Sequence, residues 1–392
     1  YRMLEAAKAN AAKNGYQGAQ YPWESADDGT EQCPDWTIEP DGTCYRCYVA
    51  VYEHHVTAAV AYGIYNYVRI THDTEFLLHK GAEILIETAR FWKSRLQYIK
   101  ENDRYEIHRV TGPDEWHEPV DNNVYTNYLA RWNLRYVTAL TEMLSREYPQ
   151  EYTALVEKLG LTEEEIADWD AVAAKVYLPR KEGTQLLEQF EGYFDLKEAV
   201  IEKYDSNDWP IRPEILNTTK KCETQIIKQA DVVMLLHLMG QEFDEETTKL
   251  NYSYYEKRTL HGSSLSPSIY SIMGLKVGDD SKAYRYLRRA ALIDLVNLQG
   301  NTREGIHAAN AGGVWQVVVF GFAGVSLDEE GMLCICPHMP PEWNGLTFRI
   351  HHLDSWLEIT VHADNSVEVK VLEGGSVEIR IQGEKVTVRR EI

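Results

Sequence analysis

The chain has 392 residues, 44% hydrophobic and 26% charged, which is the profile of an ordinary globular protein with room for one large core and a smaller domain. Its 61 acidic residues outnumber 40 basic ones, for a formal charge of -21. That balance argues against nucleic acid or an anionic membrane as a partner, so any phosphate must be met by a small local cluster of donors rather than by a broad basic face.

No signal peptide or apolar run of membrane length is read, and the expected compartment is the cytoplasm. Six cysteines stand at 33, 44, 47, 222, 334 and 336. Cys44 and Cys47 have zinc-like spacing, but a zinc site takes four ligands, and the second pair, Cys334 and Cys336, has the wrong spacing and lies far along the chain. Free thiols and no metal are expected.

Helical periodicity dominates most of the chain. Arg2 to Lys13 reads as a helix. From Tyr52 to Val68, the residues Tyr52, Val56, Ala59, Val60, Gly63, Ile64 and Tyr67 recur at spacings of three and four, which predicts one buried face. Asp73 is placed to cap the next helix, with Phe76, Leu77, Ile84, Leu85, Thr88, Trp92 and Leu96 inward.

Residues 111–128 read TGPDEWHEPVDNNVYTNY. Glu115 stands on a Gly112-Pro113-Asp114 turn beside Trp116 and His117, ahead of caps at Asp121 to Asn123 for a long helix with Val124, Tyr128, Leu129, Trp132, Val137, Leu140 and Leu144 inward. An aromatic wall beside a carboxyl favours its neutral form, which a proton donor in a sugar-binding cleft needs. The bland alternative is a solvated turn glutamate. Further on, Thr162 and Glu165 form a capping box before Ile166, Trp169 and Val172.

After Gln225, a helix is expected that is apolar nearly all round, through Ile226, Ile227, Val232 to Leu236 and Leu238, with Lys228 and Gln229 at its mouth. Such a helix is buried among neighbours. Buried helices alternating with amphipathic ones suggest an inner layer within an outer one. Ser263 and Ser264 precede Pro267, a residue suited to a helix start, where backbone donors converge on an anion; an ordinary capping turn is the alternative. His307 follows Gly305 and precedes the small-residue run Ala308 to Gly313.

From about residue 345 the period changes to two. Phe348 and Ile350, Leu357 to Val361, Val367 to Val371, Val377 to Ile381, and Val386 and Val388 alternate with polar residues, and Asp364-Asn365, Gly374-Gly375 and Gln382-Gly383 punctuate them as turns. A small antiparallel sheet is expected, structural in role.

Six stretches resemble glycoside hydrolase family 65, the inverting disaccharide phosphorylases, in the same order along the chain: Tyr21 to Ala26, Glu53 to Val56, the Gly112-Pro113-Asp114-Glu115 run with its aromatic and His, Lys228 to Val232, His261 to Pro267, and Gly305 to Ala309. The resemblance implies an (α/α)6 toroid over residues 1–328, with its first helices missing because the chain is expected to be the C-terminal half of a longer protein. A C-terminal antiparallel β-sheet domain over 329–392 follows. It further implies Glu115 as the acid, Ser263, Ser264 and His307 as phosphate ligands, and Trp23, Glu24, Lys228 and Gln229 as sugar ligands.

The implied partners are a disaccharide and inorganic phosphate, with phosphate a substrate and no cofactor, in a homodimer at full length. The kojibiose-type members look nearest, on Glu53 to His55 and His307 to Gly313. Phosphorolysis needs no general base, because phosphate is already an anion. Two alternatives stand. An inverting α-glucoside hydrolase of trehalase type would want a second carboxylate where Ser263-Ser264 stands, and no acid occurs from Thr259 to Met273. An inactive carbohydrate-binding fragment is the other.

Overall fold

Asp73, Asn123 and Thr162 each turn a side-chain oxygen onto the backbone N–H three residues ahead, at Phe76 (2.9 Å), Thr126 (2.9 Å) and Glu165 (3.1 Å). Each satisfies a donor that the first helical turn leaves open, a gain of about 1 kcal/mol per cap. These three caps begin helices at the places the sequence predicts. The computed structural model describes residues 1–38, 42, 44–206, 209–328 and 331–390.

Two compact units form. The first comprises 1–68, 72–198 and 219–225, and the second 69–71, 199–218 and 226–392. In the first, α1 (Leu4–Lys13) leads to a short hairpin, β1 (Trp36–Ile38) with β2 (Cys44–Arg46), then to α2 (Val49–Tyr52) and α3 (His55–Thr71), whose last turn counts with the second unit. Next come α4 (Thr74–Phe76), a π turn (Leu77–Gly81), α5 (Ala82–Arg95), the hairpin β3 (Gln97–Ile99) with β4 (Arg104–Glu106), and α6 (Val124–Glu147), α7 (Pro149–Leu159) and α8 (Glu163–Ala173).

The buried stripe of α3 differs from the expected one. Thr57, Ala58, Ala61 and Ile64 are inward, and of the expected face only Ile64 is buried; Tyr52 belongs to α2. Of that expected stripe, Val56 and Val60 are half-buried, and Ala59, Gly63 and Tyr67 are exposed. The observed one is mostly small residues, which let the helix pack closely, while Tyr62 and Tyr65 make edge contacts with Trp132 of α6 (5.4 and 5.6 Å between rings).

The second unit holds α9 (Val232–Leu238), α10 (Glu245–Glu256), α11 (Ser266–Val277), α12 (Asp280–Leu292) and α13 (Ala308–Gln316), the last running on into a π turn (Val317–Phe322). Helix α9 is shorter than expected. Ile226 and Ile227 are buried but extended, Ile227 pairing in parallel with Thr259, so Lys228 and Gln229 lie before the helix and do not open it. Periodicity does not separate a short buried strand from a buried helical turn. Helix α11 is buried along nearly its whole length, whereas α12 buries only Ala283, Tyr286, Leu287 and Ala290. That alternation of fully buried and one-sided helices is what an (α/α)6 toroid requires, and the chain is mainly α with a small β region at its C-terminal end.

The β region comprises β5 (Val325–Leu327), β6 (Leu333–Ile335), β7 (Gly345–His352), β8 (Ser355–His362), β9 (Val367–Glu373), β10 (Val377–Ile381) and β11 (Glu384–Val388). The five later strands fall where alternation predicts them, with Asn365, Gly374 and Gln382 at positive φ in the turns. They divide between two sheets, β7-β8-β9 and β11-β10-β6-β5, and β10 pairs with β6 in parallel, a departure from antiparallel order. Strands β5 and β6 have three residues each, too few to register as alternation. Leu357, Ile359, Val361 and Ile379 are fully buried in the core of this region.

Candidate active site

In the first unit the turn that carries Glu115 is built from its buried neighbours. Val110 and Val120 exchange backbone hydrogen bonds of 2.8 and 2.9 Å, closing the loop at its base, and Thr111 N donates to Tyr52 O at 3.0 Å. Asp114 is its anchor: Oδ1 accepts from Trp116 N at 3.3 Å, and Oδ2 accepts from Gln189 Nε2 at 2.9 Å and lies 2.6 Å from His117 Nδ1. His117 Nε2 donates to Thr224 O at 2.8 Å. Asp114 and His117 are both buried, so the residue between them and Trp116 is held at a fixed angle with its own side chain half-exposed. Gln189 O accepts from Val124 N and Asn123 Nδ2, tying the same network to the start of α6.

Two further carboxyls feel Glu115. Glu53 is buried, lies 3.2 Å from His55 Nε2 through Oε1, and takes a hydrogen bond from the Trp23 side chain. Burial pushes the Glu53 carboxyl upward and the charge of Glu115 adds to it, outweighing the His55 and Trp23 contacts. Glu118, which accepts from Thr111 Oγ1 at 3.3 Å, is likewise pushed up, by burial first and then by Glu115 and Glu53 against Lys221. The Lys221 ammonium also sits 5.2 Å from the centre of the Trp116 ring. Trp23 therefore joins Glu115 in one electrostatic group. Glu24 does not: it is exposed, on a loop whose backbone is organised by Glu31, which accepts from the N–H groups of Trp23 (2.7 Å), Glu24 (3.0 Å) and Cys33 (3.0 Å).

In the second unit, Gly262 N donates to Lys228 O at 2.8 Å and Leu260 N to Ile227 O at 3.0 Å. This pairing lays Lys228 and Gln229, both half-buried, beside the chain entering Ser263 and Ser264. His261 turns that chain. It has φ 52°, uncommon for a non-glycine residue, and is held there by Ser266 Oγ at Nδ1 (2.9 Å) and Tyr286 OH at Nε2 (3.2 Å). Burial, helped by the charges of Arg289 and Lys282, drives the His261 imidazole down to about 3, so it is neutral and structural. Ser263 Oγ accepts from Leu265 N at 3.3 Å, and Ser264 is half-buried just ahead of α11.

His307 precedes α13. Its backbone N donates to Asp294 Oδ2 at 2.9 Å, and its Nδ1 donates to Asp294 Oδ1 at 2.6 Å. These contacts hold the Asp294 carboxyl below the usual carboxylate range. Helices α11 and α13 meet at Ser268 and Gly313, where a Cβ on Gly313 would come within 2.7 Å of Ser268 Oγ. Helices α11 and α13 thus form one packed pair.

Sequence patterns passed over Glu53, Glu118, Asp294, Gln189 and Glu31 as functional residues. Glu53 opens the Glu53 to Val56 stretch and Glu118 stands three residues after the acid, so both carried a signal; Asp294, Gln189 and Glu31 carried none.

Residues 1–316 match the glycosyl hydrolase family 65 central catalytic domain, and residues 328–388 match the family's C-terminal domain. Kojibiose phosphorylase of Thermoanaerobacter brockii is 52% identical over 389 residues, which is 99% of this chain and 50% of that protein. α,α-Trehalose phosphorylase of the same organism is 35% identical over 393 residues, 100% of this chain and 49% of that protein. A solved structure described as "Putative kojibiose phosphorylase from human microbiome" superposes with a TM-score of 0.86 at 29% identity, covering 100% of this chain and 55% of that one. The chain belongs to glycosyl hydrolase family 65. It spans about half the length of the curated relatives it matches.

Proposed function

We propose that this chain carries the proton donor and the phosphate ligands of an inverting glycoside phosphorylase, in which an α-linked glucosyl disaccharide of kojibiose type and inorganic phosphate give β-glucose 1-phosphate and a free sugar. The observation that carries this is the Glu115 turn. A half-exposed carboxyl is clamped by a buried Asp114–His117 pair and flanked by two carboxyls that burial pushes toward the neutral form.

In this mechanism Glu115 protonates the glycosidic oxygen as the bond to the acceptor sugar breaks. Phosphate attacks the anomeric carbon from the opposite face, so the configuration inverts. Ser263 and Ser264 offer hydroxyl and backbone N–H donors, and His307, oriented by Asp294, adds a charge-assisted hydrogen bond to a phosphate oxygen. Lys228, Gln229, Trp23 and Glu24 orient sugar hydroxyls. The relatives at 52% identity named as kojibiose phosphorylases support the kojibiose linkage. Phosphate is consumed as a substrate and no cofactor enters. A homodimer of the full-length protein, a cytoplasmic location and a functional division between residues 328 and 329 belong to the same proposal.

Hydrolysis by an inverting enzyme would need an ionised base to activate water. Asp114 is committed to His117 and Gln189, and Glu53 and Glu118, the two carboxyls that feel the charge of the acid, are biased against ionisation, which disfavours that role. The test is phosphate dependence: the full-length protein should cleave disaccharide only when phosphate is present, with β-glucose 1-phosphate seen by NMR. Undiminished glucose release in phosphate-free buffer would establish the hydrolase instead.

A further inference from the structure

Helix α12 carries a basic stripe that the proposed reaction does not use. Lys282, Arg285, Arg288 and Arg289 recur at spacings of three and four and line a cavity of about 570 Å³, within the size range of small-molecule sites. Among the described residues, one carboxylate, Glu256, lines the cavity with them. It is buried and engaged, accepting from Lys282 Nζ at 2.8 Å and Tyr286 OH at 2.9 Å. In a chain with 21 more acids than bases, four cations along one helix concentrate positive charge locally, offset in part by Glu256 and Asp205.

Arg289 is packed against an aromatic ring. Its guanidinium lies 4.0 Å from the centre of the Trp209 ring, and burial pushes it below the usual arginine range, with the charge of Asp205 opposing. A ring against one face of a guanidinium fixes its plane and leaves the N–H edge for an anion. Neither Arg288 nor Arg289 has a carboxylate within ion-pair distance among the described residues. Tyr204, 40% exposed, stands at the same cavity with an apolar ring available to a sugar face. Ser263, Ser264 and His307 do not line it.

We infer that this cavity is a second anion site, which binds a phosphate ester of a monosaccharide, with the phosphate on Arg288 and Arg289 and the sugar against Tyr204. The proposed phosphate ligands of the reaction are separate residues, so the two assignments stand or fall independently.

Calorimetric titration of the full chain with glucose 6-phosphate, which is not a product of the proposed reaction, tests it. One equivalent should bind the wild type. Arg288→Ala, an exposed position that leaves the fold alone, and the Arg288→Ala/Arg289→Ala pair should weaken binding at least tenfold, while Ser263→Ala and His307→Ala leave it unchanged. Inorganic phosphate should bind more weakly than the ester, and glucose not at all. No binding to the wild type, unchanged affinity in the double arginine variant, or loss in the Ser263 and His307 variants would each overturn the assignment, and equal affinity for phosphate and the ester would remove its sugar half.

Discussion

Asp294 accepts two hydrogen bonds from His307, one from the backbone N–H at 2.9 Å and one from Nδ1 at 2.6 Å. The carboxylate thereby sets both the ring's rotation and the nitrogen that carries the proton on that side, and Nε2, with Asn301 Nδ2 3.5 Å away, is the edge that phosphate would meet. Asp294→Asn keeps the size but loses the charge and one of the two acceptor oxygens. Misplacing a ligand by about an ångström costs on the order of 10²-fold in rate, so KM for phosphate should rise by about tenfold or more while KM for disaccharide stays near the wild-type value. Equal increases in both would mean that Asp294 supports the fold and not the phosphate site.

Glu53 supplies a pH signature. Its carboxyl is pushed above the ordinary value, chiefly by burial and further by Glu115. A group whose folded value is raised favours the folded state below its unfolded pKa of about 4.3 and loses that contribution as pH rises through the folded value. Glu53→Gln removes a charge that the fold resists. The melting temperature of the variant relative to wild type should therefore climb between pH 4 and pH 8, and a difference that is flat or falls with pH would contradict a raised Glu53.

Features encoded within one turn of chain are legible in the sequence. Asp73, Asn123 and Thr162 read as caps because the acceptor and the N–H it meets are three residues apart, and β7 to β11 read as strands because alternation extends over five to eight residues in each. Glu115 and its aromatic neighbour are legible for the same reason. The supports of Glu115 are not: Gln189 reaches Asp114 across 75 positions, and Thr224 meets His117 across 107. A glutamine and a carbonyl carry no local pattern, so only the fold discloses them. The short helix α9 fails for a related reason, since Ile226 and Ile227 satisfy a helical stripe and a buried extended segment equally well until their pairing with residues 258–260 is known.

The sheet core offers a control remote from the chemistry. Ile379 is fully buried among Leu333, Leu357 and Ile359 in the C-terminal β region. Ile379→Ala leaves a cavity and should cost about 2–5 kcal/mol, seen as a lower urea midpoint, with kcat and both KM values of the surviving folded protein within a factor of about two, since 0.4 kcal/mol is that factor. A selective loss of phosphate affinity would give this region a role in the reaction.

Glu115 and Asp114 are adjacent, yet substitutions at them should separate chemistry from architecture. Glu115→Gln retains the size of a half-exposed side chain and removes only the transferable proton, so folding should be unchanged while turnover falls about 10²- to 10⁴-fold. Asp114→Ala takes the carboxylate from a buried pair and leaves His117 Nδ1 and Gln189 Nε2 facing an apolar methyl. Each buried polar group left unpaired in this way costs about 1–3 kcal/mol. The Asp114 variant should thus lose stability and turnover together, whereas the Glu115 variant loses turnover alone. Chemical denaturation run beside initial rates distinguishes them, and full activity in Glu115→Gln would remove this carboxyl as the acid whatever happens at Asp114.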